Sequence, residues 1–129
     1  MQHFKAEKNK ELKDYLRDPC FHDATLKTIK YDYLSNYLEV EAVNPFLSCQ
    51  LKFLFGGIET VFATKGNWLY GNSKEINSLT IEDSFSYLQK YIPQYDRTID
   101  EFLYLSFQMF SEDEIHVVCK EVTVEKKYY

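Results

Sequence analysis

The sequence predicts an α+β fold, mainly an antiparallel β-sheet or small sandwich of six to seven strands, with an N-terminal helix and one further helix. Three observations predict it. Aromatic residues make up 17% of the chain, with 11 Tyr and 10 Phe, and such side chains suit pleated, half-buried surfaces. Several segments alternate apolar and polar residues with the period of two that a buried sheet face demands. Short turn-forming clusters join those segments, which favours antiparallel pairing and leaves no βαβ alternation of a parallel sheet. At 129 residues the chain is the size of one domain with its own core. Residues 1–129 read as a single domain.

Residues 4–17 predict the N-terminal helix. Leu12, Tyr15 and Leu16 share a face, Phe4 lies about two turns earlier, and Lys and Glu fill the rest. Asp18-Pro19 stops it, because a residue before proline avoids the α region. The apolar stripe is thin, so residues 1–18 are expected to lie loosely on the domain. Thr25 to Tyr33 is a strand with Ile29, Tyr31 and Tyr33 in one phase. Leu26 is out of that phase, which predicts a bulge or bend near Lys27-Thr28. Ser35-Asn36 turns the chain. Tyr37 to Val43 then points Leu38, Val40 and Ala42 inward and Glu39 and Glu41 outward, until Asn44-Pro45 breaks it.

Leu47 to Phe55 is the cleanest strand, with Leu47, Cys49, Leu51, Phe53 and Phe55 on one face. Gly56-Gly57 is a hairpin signal, and Ile58 to Thr64 returns. Lys65-Gly66-Asn67 and Gly71-Asn72-Ser73 are turns around a short strand, Trp68-Leu69-Tyr70. Residues 81–92 predict the second helix, capped by Thr80, striped by Ile81, Phe85, Leu88 and Ile92, and ended by Pro93. Phe102 to Phe110 is apolar in both phases, so both faces of that strand are covered. Ile115 to Val124 is the last strand, and residues 126–129 are a loose tail.

The formal net charge is -5, from 15 Lys+Arg and 20 Asp+Glu. A nucleic-acid binder presents a basic face, so that class is excluded as a leading reading. The acids are concentrated. Glu75, Glu82, Asp83, Asp96, Asp100, Glu101, Glu112, Asp113 and Glu114 face only Lys90 and Arg97 within residues 75–119. Such a stretch keeps a protein soluble, and it also speeds encounter with basic partners. Cys20, Cys49 and Cys119 are an odd count without CxxC spacing, which reads as free buried thiols rather than a disulfide framework. No apolar h-region and no apolar run of about 20 residues is present. A cytoplasmic location without membrane attachment is expected.

Four constellations bear on chemistry. Cys20-x-His22-Asp23 could supply a ligand pair or an oriented imidazole; its plainer reading is a capped strand start, since a structural metal site wants about four ligands. No metal and no cofactor is expected. His116-x-x-Cys119 places its two side chains on opposite strand faces, so it reads as a surface histidine and a buried thiol. Glu39 and Glu41, about 7 Å apart along a strand, read as solvation of an outer face. The aromatics Trp68, Tyr70, Tyr31, Tyr33, Tyr37 and Tyr104 exceed what one core needs, and Tyr and Trp carry interface energy. No phosphate-binding glycine loop, nucleophile elbow, HExxH or EF-hand loop is present.

Phe21-His22-Asp23-Ala24, followed by Leu26, Ile29 and the strand at Leu38-Val40, resembles the opening of a loose group of small bacterial β-rich proteins that start with an HDA or HDS motif. Phe53-x-Phe55-Gly56-Gly57-Ile58 and Glu114-Ile115-x-Val117 resemble later steps of the same group. Some of its members are immunity proteins of bacterial toxin systems. The resemblance implies a β-rich domain and a protein partner, and it carries over no catalytic residue.

The leading expectation is therefore a non-enzymatic protein-binding module, of the immunity type that neutralises a basic toxin by occlusion. Asp100, Glu101, Glu112, Asp113 and Glu114 would steer the partner, and Trp68 and Tyr70 would anchor it. The second reading is a small-molecule-binding domain or enzyme that uses His22 and Asp23. The third is a structural subunit that forms a homo-oligomer through an uncovered strand.

Overall fold

The computed structural model describes residues 1–64, 75–95 and 98–129. Among the described residues nine strands form two antiparallel sheets. Sheet A orders β1 (Gln2–Lys5), β9 (Glu121–Tyr128), β4 (Cys49–Gly56), β3 (Tyr37–Asn44) and β2 (Thr25–Asp32). Sheet B orders β5 (Thr60–Thr64), β8 (Glu114–Cys119), β7 (Leu103–Met109) and β6 (Ile76–Ile81). The mainly antiparallel architecture matches the expectation, while nine strands replace six or seven.

The two sheets share one folded ribbon. β4 pairs β9 from Cys49↔Tyr128 to Gly56↔Glu121, and β5 pairs β8 from Thr60↔Val118 to Thr64↔Glu114. The ribbon bends at Gly56-Gly57 in one strand and at Lys120 in the other. There the Lys120 backbone N–H donates to both Gly56 O and Gly57 O at 3.1 Å. Gly57 has φ +61°, and a Cβ added to it would lie 2.9 Å from Lys120 Cβ. Only glycine meets both demands cheaply. Gly56-Gly57 is thus a passage between sheets and not a hairpin, and the single strand expected over Ile115 to Val124 is two strands, one in each sheet. The tail expected to be loose belongs to β9, which stays paired with β4 as far as Tyr128. On the far side, the starts of β2 and β6 are joined by Asp23 N–H to Ile76 O (3.1 Å) and Ile76 N–H to Ala24 O (2.7 Å).

The core lies between the sheets. The alternation at residues 49–55 works as its period requires: Cys49, Leu51, Phe53 and Phe55 are buried, facing Leu103, Leu105 and Phe107 from sheet B. Phe53 meets Phe107 edge-on at 5.5 Å between centroids, a geometry worth about 0.5–1.5 kcal/mol beyond area burial. The bulge near Lys27-Thr28 is present as a register shift between Leu26 and Thr28.

The N-terminus departs from its expected helix. Residues 2–5 form β1 on β9, a 3-10 turn covers Ala6–Lys8, and the α-helix α1 spans only Asn9–Tyr15. The strand pairing wins because Phe4 buries against the core where Val122 is its partner across the ladder. Nor is the segment loosely held: Leu12 is fully buried and Leu16 nearly so. Each such side chain contributes about 1.5–3 kcal/mol of apolar burial.

The helix expected at residues 81–92 is absent. Ile81 ends β6, and the following chain is turns with one 3-10 segment, Leu88–Lys90. Its apolar residues are buried all the same. Phe85 and Leu88 pack with Phe102, Tyr104 and Val118 on the outer face of sheet B, backed by Phe62, Tyr87 and Ile92. The stripe is real, but turns deliver it to the sheet as well as a helix would. This layer explains why β7 is apolar in both phases.

Candidate functional site

The densest polar chemistry sits under that outer layer. His116, in β8, is fully buried, which corrects its reading as a surface residue. Its Nδ1 lies 2.8 Å from the Tyr104 hydroxyl and its Nε2 3.0 Å from Glu114 Oε1. A carboxylate only accepts, so in the neutral ring Nε2–H donates to Glu114 and Nδ1 accepts from Tyr104. Tyr87 donates to Glu114 Oε2 at 2.7 Å and Tyr91 to Oε1 at 3.1 Å. Burial pushes the Glu114 carboxyl up, but hydrogen bonds from Tyr87, His116 and Tyr91 outweigh it and hold the group below its usual value. Burial first, then Glu114, pushes the Tyr87 hydroxyl far up.

Ser106 stands directly opposite His116 in the ladder, so serine, histidine and glutamate meet on one face. They do not make a nucleophile and base. Both ring nitrogens already serve Tyr104 and Glu114, and the buried Ser106 Oγ bonds neither. The cluster pins the 82–95 segment to the sheet through hydrogen bonds that a buried imidazole requires.

A second site is open to solvent. β2 and β5 are edge strands of their sheets, and between them lies a groove of about 410 Å³ whose lining includes Leu26, Ile29, Val61, Ala63, Met109 and Ile115. Ile29 and Tyr31 are directly opposite Val40 and Leu38 in the ladder, so all four share the inner face of sheet A. Val40 and Leu38 are fully buried, whereas Ile29 is 49% exposed and Tyr31 47%. Sheet B does not extend over this margin among the described residues, and the core face of sheet A emerges there.

The patch continues onto the β2–β3 turn, where Tyr33 is 81% exposed and Leu34 94%. The turn is fixed. Asp32 Oδ1 accepts from the N–H groups of Leu34 (3.0 Å) and Ser35 (3.3 Å), and the Ser35 bond leads in holding the Asp32 carboxyl below its usual range. Tyr31 donates to Asn36 Oδ1 at 3.2 Å, and Asn36 Nδ2 donates to Ile58 O at 3.0 Å, beside the ribbon bend. A rigid apolar tip of this kind loses little conformational entropy when something covers it.

The residues expected from sequence are scattered. Trp68 and Tyr70, and the short strand expected around them, lie outside the described residues. Asp100 and Glu101 precede β7 while Glu112 and Asp113 follow it, so a strand of roughly 20 Å separates the two pairs. Glu112 is exposed at a positive φ of 68°, Asp113 lines the groove, and Glu114 is turned into the His116 cluster. His22 and Asp23 are both exposed, and no hydrogen bond joins them. His22 lines a recess of about 440 Å³ with the charged Lys13, Arg17, Glu82 and Asp83 and the apolar Leu16, Leu79 and Ile81, while Asp23 sits at φ 62°. The exposed patch of Tyr31, Tyr33 and Leu34 is not assembled by the sequence reading. The two tyrosines stand among the surplus aromatics, and Leu34 has a signal of its own, a large apolar residue at the tip of a turn.

Among the described residues no three His, Cys, Asp or Glu side chains gather as a metal ion would need. No helix among them is long and apolar enough to cross a membrane. No protein-family model matches the sequence, and no curated protein is significantly similar to it.

Proposed function

We propose that this chain is a non-enzymatic protein-binding module, of the immunity type that neutralises a bacterial toxin in the cytoplasm by covering its working surface. The observation that carries the reading is the exposed apolar margin of sheet A, formed by Ile29, Tyr31, Tyr33 and Leu34 on a hydrogen-bonded turn. An exposed patch rimmed by polar residues marks an interaction site more often than a scattered surface residue does. Tyrosine suits it, because a rigid ring with a polar tip gives much contact for little entropy. The net charge of -5 favours a basic partner, with Asp113 in the groove lining and the exposed Glu112 beside it in the β7–β8 turn as steering groups.

Capture from the native host tests this, with the wild-type chain and the Tyr33→Ala/Leu34→Ala variant as baits at low and high salt. The expected result is one partner held by the wild type, lost by the variant and weakened by salt. If neither salt condition yields a partner for the wild type, the proposal fails. The reading built on His22 and Asp23 has no comparable support, since both side chains are exposed and no hydrogen bond joins them.

A further inference from the structure

Four strand edges bound the two sheets, and three of them carry devices that discourage further pairing. β1 is only four residues long and bears His3 and Lys5. β2 has the register shift at Lys27 and a second lysine, Lys30. β6 has a register shift between Ile76 and Ser78, and its start is already bonded to the chain before β2. Short length, bulges and edge lysines are the usual defences of an edge. β5, at five residues, has neither bulge nor lysine. Its sequence, Thr60-Val61-Phe62-Ala63-Thr64, holds no charge, glycine or proline, and its register with β8 is unbroken. Among the described residues it pairs with β8 alone. Val61 and Ala63 are exposed and line the groove.

We propose that the open edge of β5 is a strand-addition site, where an extended segment of a protein partner pairs with Thr60–Thr64. The added strand sends alternate side chains into the groove toward Met109 and Ile115. The inference rests on the protein-binding reading above and names the form of the partner. Main-chain hydrogen bonds to β5 supply the pairing, and the groove selects side chains at every second position. Those entering it are apolar, because Leu26, Ile29, Val61, Met109 and Ile115 line it. Those facing solvent are basic, because the chain carries a net charge of -5. The same charge argues against a second copy of this chain as occupant, since two like-charged bodies would have to meet along one short edge.

The test is amide hydrogen exchange on the full-length chain with a synthetic peptide of alternating Val and Lys as probe. At peptide about ten times its Kd, exchange at the amides of β5 that point to its open edge slows about tenfold. A peptide of alternating Val and Glu gives less protection, and insertion of proline into the Val-Lys peptide abolishes it. Val61→Lys keeps the melting temperature, since Val61 is exposed, and loses the protection. Two results would overturn the proposal. One is no slowing within residues 60–64. The other is slowing without peptide that grows with protein concentration, which would make a second copy the occupant. The Tyr33→Ala/Leu34→Ala variant separates the two ideas. It keeps the peptide effect if the β5 edge acts independently of the turn, so protection at β5 with no host partner captured would leave this site standing and remove the proposed function.

Discussion

The Tyr104 hydroxyl and His116 Nδ1 sit 2.8 Å apart with neither residue reached by solvent, so each takes the place of water for the other. Tyr104→Phe removes the hydroxyl and leaves a buried ring nitrogen with no partner. The expected cost is about 1–3 kcal/mol, the penalty for one unsatisfied buried polar group. A lower urea midpoint at unchanged slope will show it. An unshifted midpoint would mean that the nitrogen finds another donor.

Acid acts elsewhere. Asp18 accepts from Lys126 Nζ at 2.6 Å and from the Cys20 backbone N–H at 2.9 Å. The Lys126 bond leads in holding the Asp18 carboxyl down from 3.8 to about 2. A depressed carboxyl stabilises the fold above its unfolded pKa, and that contribution is lost as pH falls through the folded one. Melting temperature is therefore expected to drop between about pH 4 and pH 2. Asp18→Asn should be less stable than wild type at neutral pH and flatter across that window. Parallel curves for the two proteins would assign the acid loss to other carboxylates.

Gly57→Ala should damage the ribbon bend. The left-handed conformation alone costs a residue with a Cβ about 1–2 kcal/mol, and the contact with Lys120 at 2.9 Å adds to it. Calorimetry should show a clearly lower melting temperature. Gly56→Ala is expected to be milder, because its Cβ would meet the flexible Glu121 side chain at 3.1 Å.

Leu12→Ala should cost about 2–5 kcal/mol, as a cavity in a closed core does. That outcome separates a helix sealed onto the sandwich from one resting loosely on it. Chemical denaturation measures it directly, and a loss below about 0.5 kcal/mol, the range of ordinary surface changes, would favour the loose helix.

Period-two alternation makes residues 37–55 legible, because each of those strands has one face in the core and one toward water. Where both faces are covered, the pattern loses its meaning. His116 reads as a surface residue because nothing in β8 shows that the 82–95 segment roofs it. That segment's stripe of Ile81, Phe85, Leu88 and Ile92 reports burial without reporting conformation. The second half of the ribbon is illegible for a related reason: the bend at Lys120 carries neither glycine nor proline, and its signal lies on the other strand, at Gly56-Gly57. In sequence Asn44 reads only as a strand breaker. It is buried, and its side-chain amide donates to Cys20 O at 3.1 Å and His22 O at 2.9 Å, an order visible only once distant segments meet. The exposed margin is half legible, since tyrosine surplus announces it and only the shorter reach of sheet B locates it.

The folded ribbon also dictates a timetable. Cys49 must wait for Tyr128 and Thr64 for Glu114, so the pairing that unites the sheets spans most of the chain, and such distant partners assemble slowly. The β2–β3–β4 meander can form early from neighbours in sequence, but with an unshielded apolar side. During synthesis that side stays bare until the strands of sheet B pack on it, and β4 lacks its second neighbour until β9 arrives beside both β4 and β1.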